Sequence, residues 1–229
     1  MENPRRSIRG YLPEPVPRNT IEDVLRTARA APSGANLQPG RFHVLTGKPL
    51  ADLCSALLDA SESGRPQVEE YSYFPKPMPP HLKVRQRDAG YALYTALGIN
   101  RRDLEGRRHQ FARNYRFFDA PVGIVVTIER QMGKGCFMDL GMALYGLIAA
   151  ATDRGLSTCG IGALANHGDV VAECLRLAEN ELVVCGVALG YADPDHPANA
   201  TRTSRLQLED YTAFYGFEDP APRRPEPQS

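Results

Sequence analysis

The side chains best equipped for chemistry fall into a few groups. Ser33, Gly34, Asn36 and Gln38 crowd the stretch Ala30-Ala31-Pro32-Ser33-Gly34-Ala35-Asn36-Leu37-Gln38-Pro39. Their hydroxyl and amide groups both donate and accept hydrogen bonds, and glycine admits close backbone approach. That inventory suits a polar ligand, and it equally suits an ordinary helix-to-strand turn, which draws on the same residue types. Basic residues gather at Arg5, Arg6 and Arg9 around Ser7, and again at Arg202 and Arg205 in Asn199-Ala200-Thr201-Arg202-Thr203-Ser204-Arg205. A single exposed arginine is usually plain surface, so these matter only as sets. A further set, Arg101, Arg102, Arg107 and Arg108, is interleaved with Asp103 and Glu105 and reads as a solvated helix face. His43, His81, His109, His167 and His196 show no i, i+3 or i, i+4 pairing, so no helical metal site is expected. No Gly-x-Gly-x-x-Gly follows a strand and no phosphate-cradling P-loop occurs.

Regular elements must position these groups. Ile21, Val24, Leu25 and Ala28 recur at helical spacing, with Asn19 and Thr20 as candidate caps and Pro32 as the stop. Phe42–Thr46 reads as a strand and Pro49–Ala60 as a helix. Ser61 to His81 carries six prolines or glycines among Tyr71, Tyr73, Phe74 and Met78, so a lid-like loop is expected there. Its aromatic and apolar side chains could wall a flat substrate, or the loop could be an insertion without catalytic consequence. Helical patterning resumes over 82–97 and 104–117. Val122–Ile128 and Leu182–Tyr191 are β-branched runs suited to strands buried on both faces. Between them, Cys136–Asp153 reads as a long buried helix, and Gly155–Ala163 as a glycine-punctuated loop leading to a helix at 170–178. The Pro-rich stretch 218–229 is expected to be disordered, leaving 1–217 as one domain.

Three of these segments coincide with motifs of one family. Arg5-Arg6-Ser7-Ile8-Arg9, Ala31-Pro32-Ser33-Gly34-Ala35-Asn36-Leu37-Gln38-Pro39 and the Arg202 to Arg205 motif stand in the order and spacing of the FMN-dependent nitroreductase family. The resemblance covers roughly residues 4 to 217. Two departures accompany it: relatives often carry Trp after the Gln-Pro pair, where this chain has Gly40, and Thr203 stands where some relatives have Lys.

The resemblance implies an α+β sandwich with a central mixed sheet flanked by helices, assembled as an intertwined homodimer. It places Arg5, Arg9, Arg202 and Arg205, with Ser7, at the FMN phosphate, and Arg6 near the ribityl chain. It assigns Pro32, Ser33, Gly34, Asn36 and Gln38 to the flavin of the partner subunit. Arg116 matches a cation near the flavin ring, against the alternative of a salt bridge at a helix C-terminus. Gly160, Ile161, Gly162 and Ala163 match the segment offering a backbone N–H to the ring. The activity so implied is transfer of hydride from NADH or NADPH through the flavin to a flat electron-poor acceptor, foremost a nitroaromatic. The flavin carries that chemistry, so no catalytic side chain is expected. The same resemblance embraces enone or quinone reduction and heterocycle dehydrogenation, and a non-catalytic flavin-binding protein could keep the same residues.

Composition narrows the classes. The 229 residues carry 27 basic and 27 acidic side chains, a net charge of zero that argues against nucleic-acid binding by bulk electrostatics. Five cysteines form neither a metal-ligand spacing nor an even disulfide set, which points to the reducing cytoplasm. Phe137–Ala151, the most apolar stretch, is too short to span a bilayer and contains Asp139, so no membrane association is expected.

Overall fold

The computed structural model describes residues 5–217; the Pro-rich stretch 218–229 lies outside them. Four strands form one sheet in the order β1-β2-β4-β3, with β1 at Arg41–Thr46, β2 at Val122–Glu129, β3 at Ser157–Ile161 and β4 at Glu181–Gly190. All three ladders are antiparallel. The one parallel pairing among the described residues joins Ser7 to Thr158, where the N-terminal segment runs along the outer edge of β3. The expected mixed sheet is therefore antiparallel in its named strands, with its parallel element reduced to that bridge.

The two β-branched runs occupy the inner positions, which explains their lack of alternation: β2 is buried along all but its last residue. Each face receives its own helices. On one side α1 (Arg18–Arg29) and α5 (Lys134–Asp153) pack over Ile124, Val126, Leu182 and Leu189. On the other, α2 (Gly47–Glu62), α6 (Gly168–Leu175) and a 3-10 turn at Arg113–Asp119 pack over Leu45, Val125, Cys159 and Val183. Each fully buried Leu, Ile or Phe in these layers contributes about 1.5–3 kcal/mol through removal of apolar surface from water. The helices α3 (Pro80–Ala96) and α4 (Leu104–Ala112) bury little: Gln110 is the one buried residue along them.

Several expectations need correction. The cap of α1 is Pro17, with Asn19 and Thr20 inside the first turn. The 104–117 helix ends at Ala112 and tightens into a 3-10 segment, Arg113–Asp119, in which Phe117, Phe118 and Asp119 take left-handed conformations (φ 49°, 54° and 64°) and both phenylalanines lie in the core. The loop at 155–163 contains the edge strand β3. Helix α6 stops at Leu175, where Arg176 takes a left-handed conformation (φ 52°). Helix α5 is not buried all round. Leu140, Ala143, Leu147, Ala150 and Ala151 face the sheet, whereas Met138, Met142 and Tyr145 are 71%, 40% and 56% exposed. At twenty residues it is longer than its most apolar stretch and, by length and composition alone, could cross a bilayer. Its packing on α1 and the sheet makes it instead a core element with one uncovered apolar stripe.

Candidate functional site

The two arginine sets meet. Residues 5–9 are held against β3 by the Ser7–Thr158 bridge and by the Ile8 N–H donating to the Thr158 carbonyl at 3.0 Å. Tyr11 locks the far end, its hydroxyl donating to the Ile8 carbonyl at 2.9 Å. Extended backbone alternates its side chains, so Ile8 enters the core, 4% exposed, while Arg5, Ser7 and Arg9 share the opposite face. Residues 201–205 arrive from the other end of the chain. Arg5, Arg6, Ser7 and Arg9, Thr201 to Thr203 with Arg205, and Tyr145 of α5 together line a cavity of about 420 Å³.

Its electrostatics are those of an anion site. Four or more guanidinium groups surround the space, with Ser7, Thr201 and Thr203 hydroxyls between them, so the absence of Lys at position 203 leaves the charge to Arg202 and Arg205. Beneath lies Cys159, 2% exposed; burial pushes its thiol above the ordinary range, opposed by Arg9, Arg5 and a hydrogen bond from Ser7. Beside Arg9 the chain makes an unusually close approach. A Cβ on Gly10 would sit 2.1 Å from the His196 ring, so only glycine fits there. His196 in turn meets Arg113 at 3.1 Å; burial, aided by that guanidinium, holds its pKa below the usual value.

Of the four residues at 160–163, Gly160 alone is exposed, and a Cβ built on it meets nothing within 4 Å. Ile161 turns into the core at 1% exposure, and Ala163 packs against the same cluster. Gly162 is covered by Tyr73, whose ring would lie 2.9 Å from an added Cβ. The irregular loop 63–79 is thus docked on this segment, pinned by the Val68 N–H donating to the Asn166 carbonyl at 2.9 Å, and encloses a second cavity of about 270 Å³. Tyr71 lines this cavity with its position fixed: its hydroxyl donates to the Val184 carbonyl and its ring packs on Phe137. Tyr73 and Phe74, rings 4.8 Å apart, are 61% and 49% exposed, and Met78 is half-buried beyond them.

The 32–38 turn is built by its own side chains. Ser33 Oγ accepts from the Gln38 N–H at 2.9 Å, Arg29 donates to the carbonyls of Gln38 and Gly40 at 2.6 and 2.8 Å, and Asp139 of α5 accepts from the Gly34 N–H at 3.0 Å. Gly40 is required for a steric reason: at φ +85° a Cβ would lie 2.6 Å from Leu140. Pro32, Gly34, Asn36 and Gln38 are exposed, and none of them lines the basic cavity of their own chain. Arg116 also lies outside that cavity. It pairs with Asp119 at 2.6 Å, both about half exposed, in a shallow groove beside Cys54 and Pro121. The salt bridge of the alternative reading is thus present, beside Leu50, Ala51 and Cys54 of α2.

Sequence reasoning passed over Tyr145, Asp139 and Arg29. Tyr145 could have been found from its place on the stripe Met138, Met142, Tyr145, spaced i, i+4, i+7 on a helix otherwise apolar.

Comparison with known proteins agrees with this architecture. The chain is 38% identical over 212 residues to a chloronitrobenzene nitroreductase of Comamonas testosteroni, covering 92% of this chain and 93% of that one. It is 36% identical over 218 residues to a 4-nitrobenzoate reductase of Nocardioides sp. (strain LMS-CY), covering 94% and 88%. Among solved structures, the FMN and NADPH-dependent nitroreductase NfnB of Sphigopyxis sp. strain HMH superposes with a TM-score of 0.90 at 34% identity, covering 93% of this chain and 96% of that chain. The Nitroreductase family profile matches residues 4–191. A basic cavity closed by both ends of the chain, an antiparallel sheet between two helical layers and these likenesses agree: the chain belongs to the nitroreductase family.

Proposed function

We propose that the chain is an FMN-dependent oxidoreductase that takes reducing equivalents from NAD(P)H and delivers them to a flat electron-poor acceptor, a nitroaromatic first among them. One observation carries the reading: Arg5, Arg6 and Arg9 converge with Arg202 and Arg205 on a single cavity, although about 190 residues separate the two sets. The donor set fits FMN. Guanidinium groups and hydroxyls satisfy a phosphate dianion with charge-assisted bonds at about 1.5–3 kcal/mol each, enough for retention without a covalent link. Adjacent to Arg9 along β3, the bare backbone of Gly160 offers a flat surface for a ring.

Bound FMN would supply the redox chemistry, storing two electrons between donor and acceptor. The protein's part is binding and exclusion. Arg5, Ser7, Arg9, Arg202 and Arg205 hold the phosphate, and Arg6 is assigned to the polyol chain. Ser33, Asn36 and Gln38 serve the cavity of a partner subunit, a role supported by the exposure of Asn36 and Gln38, which the Ser33 hydroxyl helps hold in their turn, and by the absence of all three from their own cavity. Tyr73 and Phe74 present apolar rings over the Gly162 segment, where a planar substrate would stack. The chloronitrobenzene and nitrobenzoate activities of the relatives support the acceptor class, and the NADPH dependence named for the Sphigopyxis enzyme supports the donor. All five cysteines are unpaired, which supports a reducing compartment such as the cytoplasm.

A visible spectrum tests this directly. The purified protein should show a flavin band near ~450 nm, release FMN on denaturation and bleach anaerobically with NAD(P)H. A protein that stays colourless after incubation with FMN overturns the reading. Turnover of nitroaromatics no faster than by free reduced flavin overturns the acceptor.

A further inference from the structure

Asn199 has no part in the roles assigned above, yet the basic cavity is built around it. Its side chain is 8% exposed and fully bonded: Oδ1 accepts from the Arg9 N–H at 2.8 Å, and Nδ2 donates to the carbonyls of Gly10 and Asp193, both at 2.8 Å. Its own carbonyl accepts from Arg6 Nη1 at 3.0 Å and from Arg202 Nη1 at 3.1 Å. One residue thus fastens the backbone of the N-terminal segment to the arm at 193–202. It also aims one guanidinium from each side of the cavity.

We propose that Asn199 is the positioning residue that sets the spacing of the two arginine sets and so confers preference for the phosphorylated flavin. The proposal rests on reading the cavity as the phosphate site. The physical argument is geometric. An anion bridged by guanidinium groups from two chain segments is bound tightly only if those segments are held at a fixed distance, since each loose segment must be ordered on binding. The Ser7–Thr158 bridge fixes residues 5–9 to the sheet. The arm at 201–205 is outside any strand or helix, and among the described residues Arg205 donates to atoms of residues 203 and 204. Backbone bonds from the Leu12 N–H to the Tyr191 carbonyl at 2.9 Å and from the Asp193 N–H to the Gly10 carbonyl at 3.1 Å set the register of the two segments, and Asn199 is the residue that carries it on to the arm at 201–205. No other common side chain offers one acceptor and two donors in this shape: aspartate cannot donate to the two carbonyls, and alanine leaves the Arg9 N–H unpaired and leaves the Gly10 and Asp193 carbonyls with one donor each, from the Asp193 and His196 N–H groups.

The test compares FMN with riboflavin, which lacks the phosphate. Full-length wild type and Asn199→Ala are freed of flavin and titrated with each, following flavin fluorescence. In Asn199→Ala the affinity for FMN should fall at least about tenfold, the scale set by a buried polar group left unpaired, while riboflavin, which keeps only the polyol contact of Arg6, should lose far less, so that the FMN-to-riboflavin ratio drops. Adding Arg202→Ala should then cost little beyond Asn199→Ala, although it weakens FMN in the wild-type background. FMN and riboflavin affinities falling together would mean a merely structural role and overturn the proposal, as would an unchanged FMN preference. If Asn199→Ala does not fold, the near-isosteric Asn199→Asp is measured the same way, and full retention of the FMN preference there overturns it equally. A wild type that binds FMN no better than riboflavin overturns the phosphate reading itself, a failure visible before any variant is made.

Discussion

Gly160 and Arg116 show how a single residue's role is decided by what surrounds it. The space over Gly160 is open, so a larger side chain costs the fold little and fills the surface assigned to the flavin ring. Gly160→Val should leave the melting temperature within a few degrees and weaken flavin binding on the order of tenfold or more, which is about 1.4 kcal/mol per factor of ten. Equilibrium titration beside a thermal melt checks both halves. Arg116 makes the opposite case. Its carboxylate partner is on the same turn and both groups are half in water, so Arg116→Ala should cost ~0–1 kcal/mol of stability. Flavin retention and midpoint potential should not change; a lowered potential would restore the ring-facing role expected from the family pattern.

Among the elements, legibility followed the strength of the local pattern. The inner strands and α1, α2 and α5 were readable because β-branched runs and apolar periodicity report burial directly. Strand β3 was hidden, because Ser157-Thr158-Cys159-Gly160-Ile161 has a glycine where a strand would carry a packing side chain, and its order comes from partners more than twenty residues away in sequence. The arginine sets were legible as motifs, but Asn199 and Tyr145 were not, since their importance lies in contacts between distant segments. A comparable long-range cluster closes the outer end of the sheet. Glu181, at the start of β4, receives Thr127 Oγ1 at 2.7 Å, His43 at 3.0 Å and Arg41 at 3.1 Å while only 6% exposed. Burial pulls its pKa up, but these donors outweigh burial and hold it below the ordinary value. A carboxylate so depressed stabilises the fold above its unfolded pKa of about 4.3 and loses that contribution as the pH falls through its folded value. Thermal melts between neutral pH and about pH 3 should therefore fall more steeply for wild type than for Glu181→Gln, which starts lower and has no such proton to take up.

At the scale of the whole molecule, the uncovered stripe of α5 and the exposed 32–38 turn belong to one problem. Met138, Met142 and Tyr145 lie on the helix that anchors the turn through Asp139 and lines the basic cavity through Tyr145. A second copy packed on this stripe would cover the methionines and bring a turn toward each cavity. Met142→Glu places a charge in that interface and should convert a dimer to monomer in sedimentation, with loss of flavin following loss of the partner. A monomeric variant that keeps its flavin would show that each cavity is complete within one chain.

The closure of the cavity by residues 5–9 and 199–205 also orders events in time. During synthesis the first set can pair with β3 only after residue 158 has left the ribosome, and the second set follows some forty residues later. The sheet itself is complete only with β4, which ends at Gly190, so the anion site can form no earlier than the sheet. Cofactor capture is the last step of maturation, and by mass action it rewards only chains whose two ends have already met.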